Sequence, residues 1–158
     1  MIDAPLALHT ATARPEWIDY NGHLMDGYYL VAFTFATEAL LDYLGFGLLY
    51  RERTGCTIYT VEAHVNFLRE VHANAGLRYT TQLLGFDAKR IQVFHHMFHA
   101  EEGYLAATNE LMFLHVNQSS SKVESMPPDR LARLEQVYAA HTGLPRPAQA
   151  GRSIKQLP

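Results

Sequence analysis

The chain has a single cysteine among 158 residues, Cys56, so it cannot close a disulfide on itself or assemble a zinc site from several thiolates. A reduced compartment is the simplest reading, and we expect a cytoplasmic protein. Charge of one sign is scarce. Thirteen Lys and Arg oppose sixteen Asp and Glu, for a formal net charge of -3. That lacks the basic surplus of a nucleic-acid binder, and no nucleic-acid partner is expected. Long apolar runs are missing too. The most apolar stretch, residues 28–44, is interrupted by Thr34, Thr37, Glu38 and Asp42 and falls short of the roughly 20 apolar residues of a membrane span, so no membrane partner is expected. Residues 1–9 carry neither the basic start nor the apolar stretch of a signal peptide. No Gly-x-Ser-x-Gly elbow and no phosphate-binding loop occurs.

What is present suits one globular domain. Hydrophobic residues make up 48% of the chain and aromatics 11%, enough for a real core and too many for global disorder. Leu6 to Ala13 alternates and reads as a strand. A loop rich in special residues, Pro15 to Asp26, follows, with Asp26 placed to cap a helix over Gly27–Leu44 that ends at Gly45. Apolar side chains occupy most of that helix's circumference, and Thr34, Glu38 and Asp42 form one narrow polar stripe. A helix of this kind is buried on most sides. Another helical turn over 46–53 closes at Gly55.

After Cys56 the period changes to two. Thr57, Tyr59, Val61, Ala63, Val65 and Phe67 share one face of a long strand, with Thr60, Glu62, His64 and Asn66 on the other. Strands over 77–86, 91–100 and 104–116 are separated by turns of two or three residues, which predicts antiparallel hairpins. Pro127 and Pro128 open a short helix with Leu131, Leu134 and Val137 on one face. The last stretch, 143–158, is expected as a loose tail or an arm lying on a neighbour, outside a single domain spanning 1–142. The order predicts an α+β fold: one curved antiparallel sheet wrapped around a central helix. A single sheet leaves part of such a helix bare, which predicts a homodimer or a dimer of dimers.

The densest group of chemical side chains is Trp17, Asp19, Tyr20, Asn21, Gly22, His23 and Asp26. A helix N-terminus offers free N–H groups and partial positive charge, which can hold the oxyanion formed when a carbonyl is attacked. Asp19 can act there as general base or as nucleophile. The plainer alternative makes Asp19 and Asn21 Asx-turn residues, packs His23 against the sheet and leaves Asp26 as a cap only.

Trp17, Asp19, Gly22, His23 and Tyr29 resemble the opening signature of the hydroxybenzoyl-CoA thioesterase-like hotdog family, and the element order agrees over about 6–116. The resemblance implies an acyl-CoA thioesterase of hotdog fold, with Asp19 as the catalytic carboxylate and the backbone N–H groups near Asp26 and Gly27 facing the thioester oxygen. Trp17 stands where that family often has a first acidic residue. A narrower resemblance, to the thioesterases of carnitine breakdown, rests on Thr60, Val61, Glu62, His64, Leu68, Glu70 and Val71 and on Ala107, Thr108, Glu110, Met112, Leu114, His115 and Val116. It implies betainyl-CoA as the substrate. A trimethylammonium group is held by aromatic faces and acidic charge. Trp17, Asn21, His23, Tyr28, Tyr29, Glu62 and His64 are therefore candidate substrate-binding residues, and Arg69, Lys89 and Arg90 candidates for the CoA phosphates. No cofactor is expected, since CoA enters as part of the substrate. No metal is expected either: His95 and His99 share a strand face but lie roughly 13 Å apart. The rival function is a non-catalytic hotdog module that binds a small ligand.

Overall fold

The computed structural model describes residues 1–158. Its centre is α1 (Asp26–Leu44), which ends as expected at Gly45 in the left-handed conformation (φ 83°). The start differs by one residue. Met25 occupies the cap position and Asp26 is the first helical residue, where its carboxylate accepts from Gly27 N–H at 2.8 Å. Gly47 precedes α2 (Leu48–Thr54), closed by Gly55.

The strands are β1 (Thr10–Thr12), β2 (Cys56–Phe67), β3 (Gly76–Phe86), β4 (Arg90–His99), β5 (Leu105–Asn117) and β6 (Lys122–Val123), and the chain closes with α3 (Pro128–His141). They form one antiparallel sheet in the order β1-β3-β4-β5-β2, with β6 added to the end of β5. The sheet curls around α1, the helix-in-sheet arrangement that the hotdog resemblance implies. The expected first strand is shorter than its alternation suggested. Leu6 makes a single bridge to Thr81 and only Thr10–Thr12 runs as a ladder. α3 is longer than expected and buries Leu134 and Val137 completely.

One departure matters for function. A bulge at Val61 separates Thr60 from Glu62 in the β2–β5 register. One extra residue turns every later side chain to the opposite face. Thr57 and Tyr59 therefore share the outer face with Glu62, His64 and Asn66, while Ile58 and Thr60 share the inner face with Ala63, Val65 and Phe67. The uniform face expected from simple alternation is broken in the middle.

The core has two halves. Around the C-terminal half of α1, Leu40, Leu44 and Phe46 pack with Leu111, Phe113 and Leu134. Around the N-terminal half, Trp17, Leu24, Tyr29 and Phe33 pack with Tyr79 and Met97. A polar layer lies on the inner face beneath α1. His95 is fully buried, stacked on Phe33, with Nε2 3.0 Å from Thr37 Oγ1 and Nδ1 2.7 Å from Thr81 Oγ1. Hydroxyls both donate and accept, so a neutral imidazole is fully satisfied here. Burial, with the nearby His96 second, pushes the His95 pKa down to about 3. A ring that stays neutral when folded but takes a proton near 6.5 when unfolded stabilises the fold above pH 6.5. That contribution is lost as the pH falls toward 3. Urea unfolding of the wild type and of His95→Gln between pH 7.5 and 4 checks this. The wild type should lose stability more steeply below pH 6.5, by about 1.4 kcal/mol per pH unit. Parallel curves would remove His95 from the acid response.

Candidate active site

Two loops build the site, and both are fastened by main-chain hydrogen bonds. The first is a tight hairpin, Ile18 to Leu24. Asp19 N–H donates to His23 O, Gly22 N–H donates to Asp19 O, and Ile18 bridges Leu24. The turn requires φ +81° at Gly22, a conformation that L side chains rarely adopt. Asp19 Oδ1 accepts from Asn21 N–H at 2.8 Å, the Asx turn expected from these residue types. Met25 N–H then donates to Trp17 O, and α1 begins.

The second loop joins β2 to β3. Leu24 N–H donates to Val71 O at 2.8 Å and ties the two loops together. Val71 and Leu24 are both buried, so their neighbours point outward. Between the loops lies a cleft of about 310 Å³ whose walls include His23, Asp26, Tyr29, Phe67, Arg69 and Glu70. Tyr29 meets the Phe67 ring edge-to-face at 5.2 Å. Its hydroxyl donates to Arg69 O at 3.4 Å, and burial pushes its pKa up to about 12, so it remains a neutral phenol. Arg69 lies 3.9 Å over the Tyr104 ring and 3.9 Å from Glu102. At the first turn of α1, Met25 N–H is used by Trp17, Gly27 N–H by the Asp26 carboxylate and Tyr28 N–H by Met25 O. The Asp26 N–H has no acceptor in the chain. A Cβ added at Gly27 would meet nothing within 4 Å, so a ligand can approach this turn.

The expected site residues are only partly gathered here. His23, Asp26, Tyr29 and Arg69 line the cleft. Gly27 adjoins it. Asp19 and Asn21 lie in the hairpin and not on the cleft wall, because Asn21 turns the carboxylate back on its own loop. Trp17 is buried in the core, stacked on Tyr28 at 5.8 Å with the Arg14 guanidinium 5.0 Å from its ring, so neither Trp17 nor Tyr28 faces the cleft. Glu62 and His64 are on the far side of the sheet. The β2 bulge places them on its outer face, where they line a larger cavity of about 540 Å³ with Gln92, Glu110 and the tail. That cavity is roofed by the chain itself, since Gly151 N–H donates to Glu110 Oε2 at 2.6 Å. The tail therefore lies on its own sheet. Lys89 and Arg90 sit at one end of β4, and Arg90 pairs with Asp87 at 2.6 Å. Arg69 belongs to the other end, where it follows Leu68 and donates to Ala106 O. One chain does not bring the three basic residues together.

Phe67 and Glu70 line the cleft although the sequence pattern does not single them out as site residues. The face of Phe67 depends on the bulge, and Glu70 carries no signal beyond its place in a motif. His72 has no local signal either. It lies two residues beyond Glu70, and its Nδ1 is 3.1 Å from Gly22 O. Cys56 is buried beside Glu124, and burial pushes its thiol pKa up, which suits a packed residue and not a nucleophile. No single helix is long and apolar enough to cross a membrane.

Comparisons with known proteins agree with this geometry. Residues 13–134 match the thioesterase-like superfamily. The chain is 39% identical to the betainyl-CoA thioesterase of Pseudomonas aeruginosa, over 94% of each chain. It is 41% identical to the L-carnitine dehydrogenase/betainyl-CoA thioesterase of Agrobacterium fabrum, covering 98% of this chain and 31% of that longer protein. Among solved structures, a hypothetical protein of Staphylococcus aureus in complex with CoA superposes with a TM-score of 0.89 at 26% identity, over 99% of each chain. With its curled sheet, its enclosed helix and a family match over most of its length, the chain belongs to the thioesterase-like superfamily.

Proposed function

We propose that the protein hydrolyses an acyl-CoA thioester, with betainyl-CoA as its substrate, releasing glycine betaine and free CoA. The observation that carries the reading is the unpaired Asp26 N–H at the start of α1, beside an open cleft in a chain of this superfamily. A main-chain donor at the positive end of a helix is suited to the oxyanion of a tetrahedral intermediate. In this reading the Asp19 carboxylate turns from the Asn21 N–H of its own loop toward the cleft, and water adds to the carbonyl carbon while its proton passes to Asp19. The Asp26 N–H holds the oxyanion. The C–S bond then breaks, and the CoA thiolate takes the proton back from Asp19. The reaction needs no cofactor, and a reduced buried Cys56 together with a CoA substrate fits a cytoplasmic setting.

The cleft lining supports the acyl group. Asp26 and Glu70 supply negative charge, and Tyr29 and Phe67 supply ring faces, the two features that hold a quaternary ammonium. The similarity to betainyl-CoA thioesterases of two bacteria points the same way. Asp26 and Glu70 line the cleft, whereas Glu62, the carboxylate carried by the carnitine-breakdown resemblance, lies on the outer face. Arg69 at the rim is placed for the anionic part of CoA. The test is thiol release from betainyl-CoA beside neutral short-chain, long-chain and aryl thioesters, for the wild type and for Asp19→Asn. Betainyl-CoA should be preferred, and Asn at 19 should cost at least ~100-fold in kcat with the melting temperature kept. Undiminished turnover in folded Asp19→Asn protein would remove Asp19 from the mechanism. Preference for a neutral ester would discard the betainyl group.

We further propose that the working unit is a homodimer joined at β2. This strand is an edge of the sheet, paired only with β5. Val61 and Phe67 are each 53% exposed and Leu68 45%. On α1, Leu30 and Val31 are bare as well, beside Thr34 and Glu38 of the polar stripe. An unpaired apolar edge invites another strand, and a twofold axis lets one β2 pair with a second. The Phe67 and Leu68 rim of the cleft would then lie against the second chain. Light scattering after gel filtration should give a dimer or a multiple of it for the wild type and a smaller species for Val61→Lys. An unchanged mass in Val61→Lys would place the contact elsewhere.

A further inference from the structure

Three metal-ligating side chains converge beside the cleft: His23, Glu70 and His72 each bring one ligand atom to within 4.8 Å of the other two. They come from different loops. His23 precedes Leu24, and Glu70 and His72 flank Val71. The hydrogen bond from Leu24 N–H to Val71 O makes the three neighbours by holding the buried residues between them together. The backbone pairing therefore brings the three residues together.

The tautomer of His72 is set by its surroundings. Its Nδ1 lies 3.1 Å from the Gly22 carbonyl oxygen, which can only accept. Nδ1 must carry the proton, so Nε2 keeps a free lone pair. A histidine that donates one ring N–H to a carbonyl and offers the other nitrogen is the usual arrangement of a metal-ligating imidazole. Gly22 supplies that carbonyl from the turn that its positive φ creates. The His23 and His72 rings meet edge-to-face with centroids 5.3 Å apart, side by side without a bond between them.

We propose that His23, Glu70 and His72 form a binding site for a divalent ion of the zinc class. Two imidazoles and one carboxylate are a donor set that zinc takes with a fourth position left open. Ligand atoms about 2.0–2.2 Å from a tetrahedral ion stand ~3.4 Å apart, so the three need draw in by ~1.4 Å at most. Glu70 is exposed and free to rotate toward the two imidazoles, while His72 stays anchored on the Gly22 carbonyl. Imidazole donors favour zinc, nickel and cobalt over magnesium or calcium. An ion here would clamp the Asp19 hairpin to the β2–β3 loop. It would also neutralise Glu70 and occupy His23, both of which line the cleft. The site is thus placed to restrain the cleft from one wall and to oppose a cationic acyl group. The ion-binding step stands whether or not that acyl group is right.

Protein stripped with a chelator and titrated with Co(II) tests this by visible absorption. The expected result is one saturable equivalent with the intense bands of a four- or five-coordinate ion, displaced by Zn(II), together with a rise in melting temperature when Zn(II) is added. Because seven other histidines could bind cobalt adventitiously, two variants are needed. His72→Ala and Glu70→Gln should each weaken binding by ~100-fold or more while melting like the wild type in chelator. His64→Ala, on the outer face of the sheet, should bind as the wild type does. Equal Co(II) affinity in His72→Ala and wild type would overturn the proposal, as would the absence of saturable binding below about 1 mM Co(II).

Discussion

A helix with apolar side chains around most of its circumference cannot stand at a surface, and the rest of this structure follows from enclosing it. α1 buries Tyr29, Ala32, Phe33, Ala36, Leu40 and Leu44 against one curled sheet. Enclosure fixes the helix along its length, and so fixes where its N-terminus emerges. That end meets the Ile18–Leu24 hairpin and the loop after β2, locked together by Leu24 N–H and Val71 O. The free Asp26 N–H is held in place by this packing before any ligand arrives. Main-chain donors so held lose little by reorganisation when charge develops near them.

Much of the fold is legible in the sequence because its signals are local. Period-two alternation marks β3, β4 and β5 to within a residue or two, and glycines with positive φ close both α1 and α2. The bulge at Val61 is not legible, since the residues on either side alternate without interruption. Its consequence is large: Glu62 and His64 pass to the outer face. A motif can locate residues along a strand without saying which side of the sheet they serve. The tail is similar. Its prolines and glycines announce irregular structure, but nothing local says that Glu110 will receive Gly151 N–H.

The candidate site divides the same way. The Asp19–Asp26 loop stands out by residue type alone, because Asp, Asn, Gly and His before a greasy helix are turn and cap chemistry. Glu70 and His72 become site residues only through pairing with a segment some fifty positions earlier, a long-range bond that no spacing rule contains. Trp17 is the reverse case. Its type suggests a cation cage, yet the core claims it, with Tyr28 stacked on the ring and Arg14 already beside it. Asp26 and Glu70 make the cleft attractive to positive charge of any kind. A trimethylammonium group and a divalent ion would compete for the same wall, which ties the substrate reading to the metal reading through one carboxylate.

Docking of the thioester carbonyl on the first turn of α1 can be seen in a crystal structure with a hydrolysis-resistant ketone or thioether analogue of betainyl-CoA. The carbonyl oxygen, or its equivalent, should lie about 3 Å from the Asp26 nitrogen, with the ammonium group beside Glu70 and Phe67. An analogue bound in the outer cavity between Glu62, His64 and the tail, with the α1 turn empty, would contradict it.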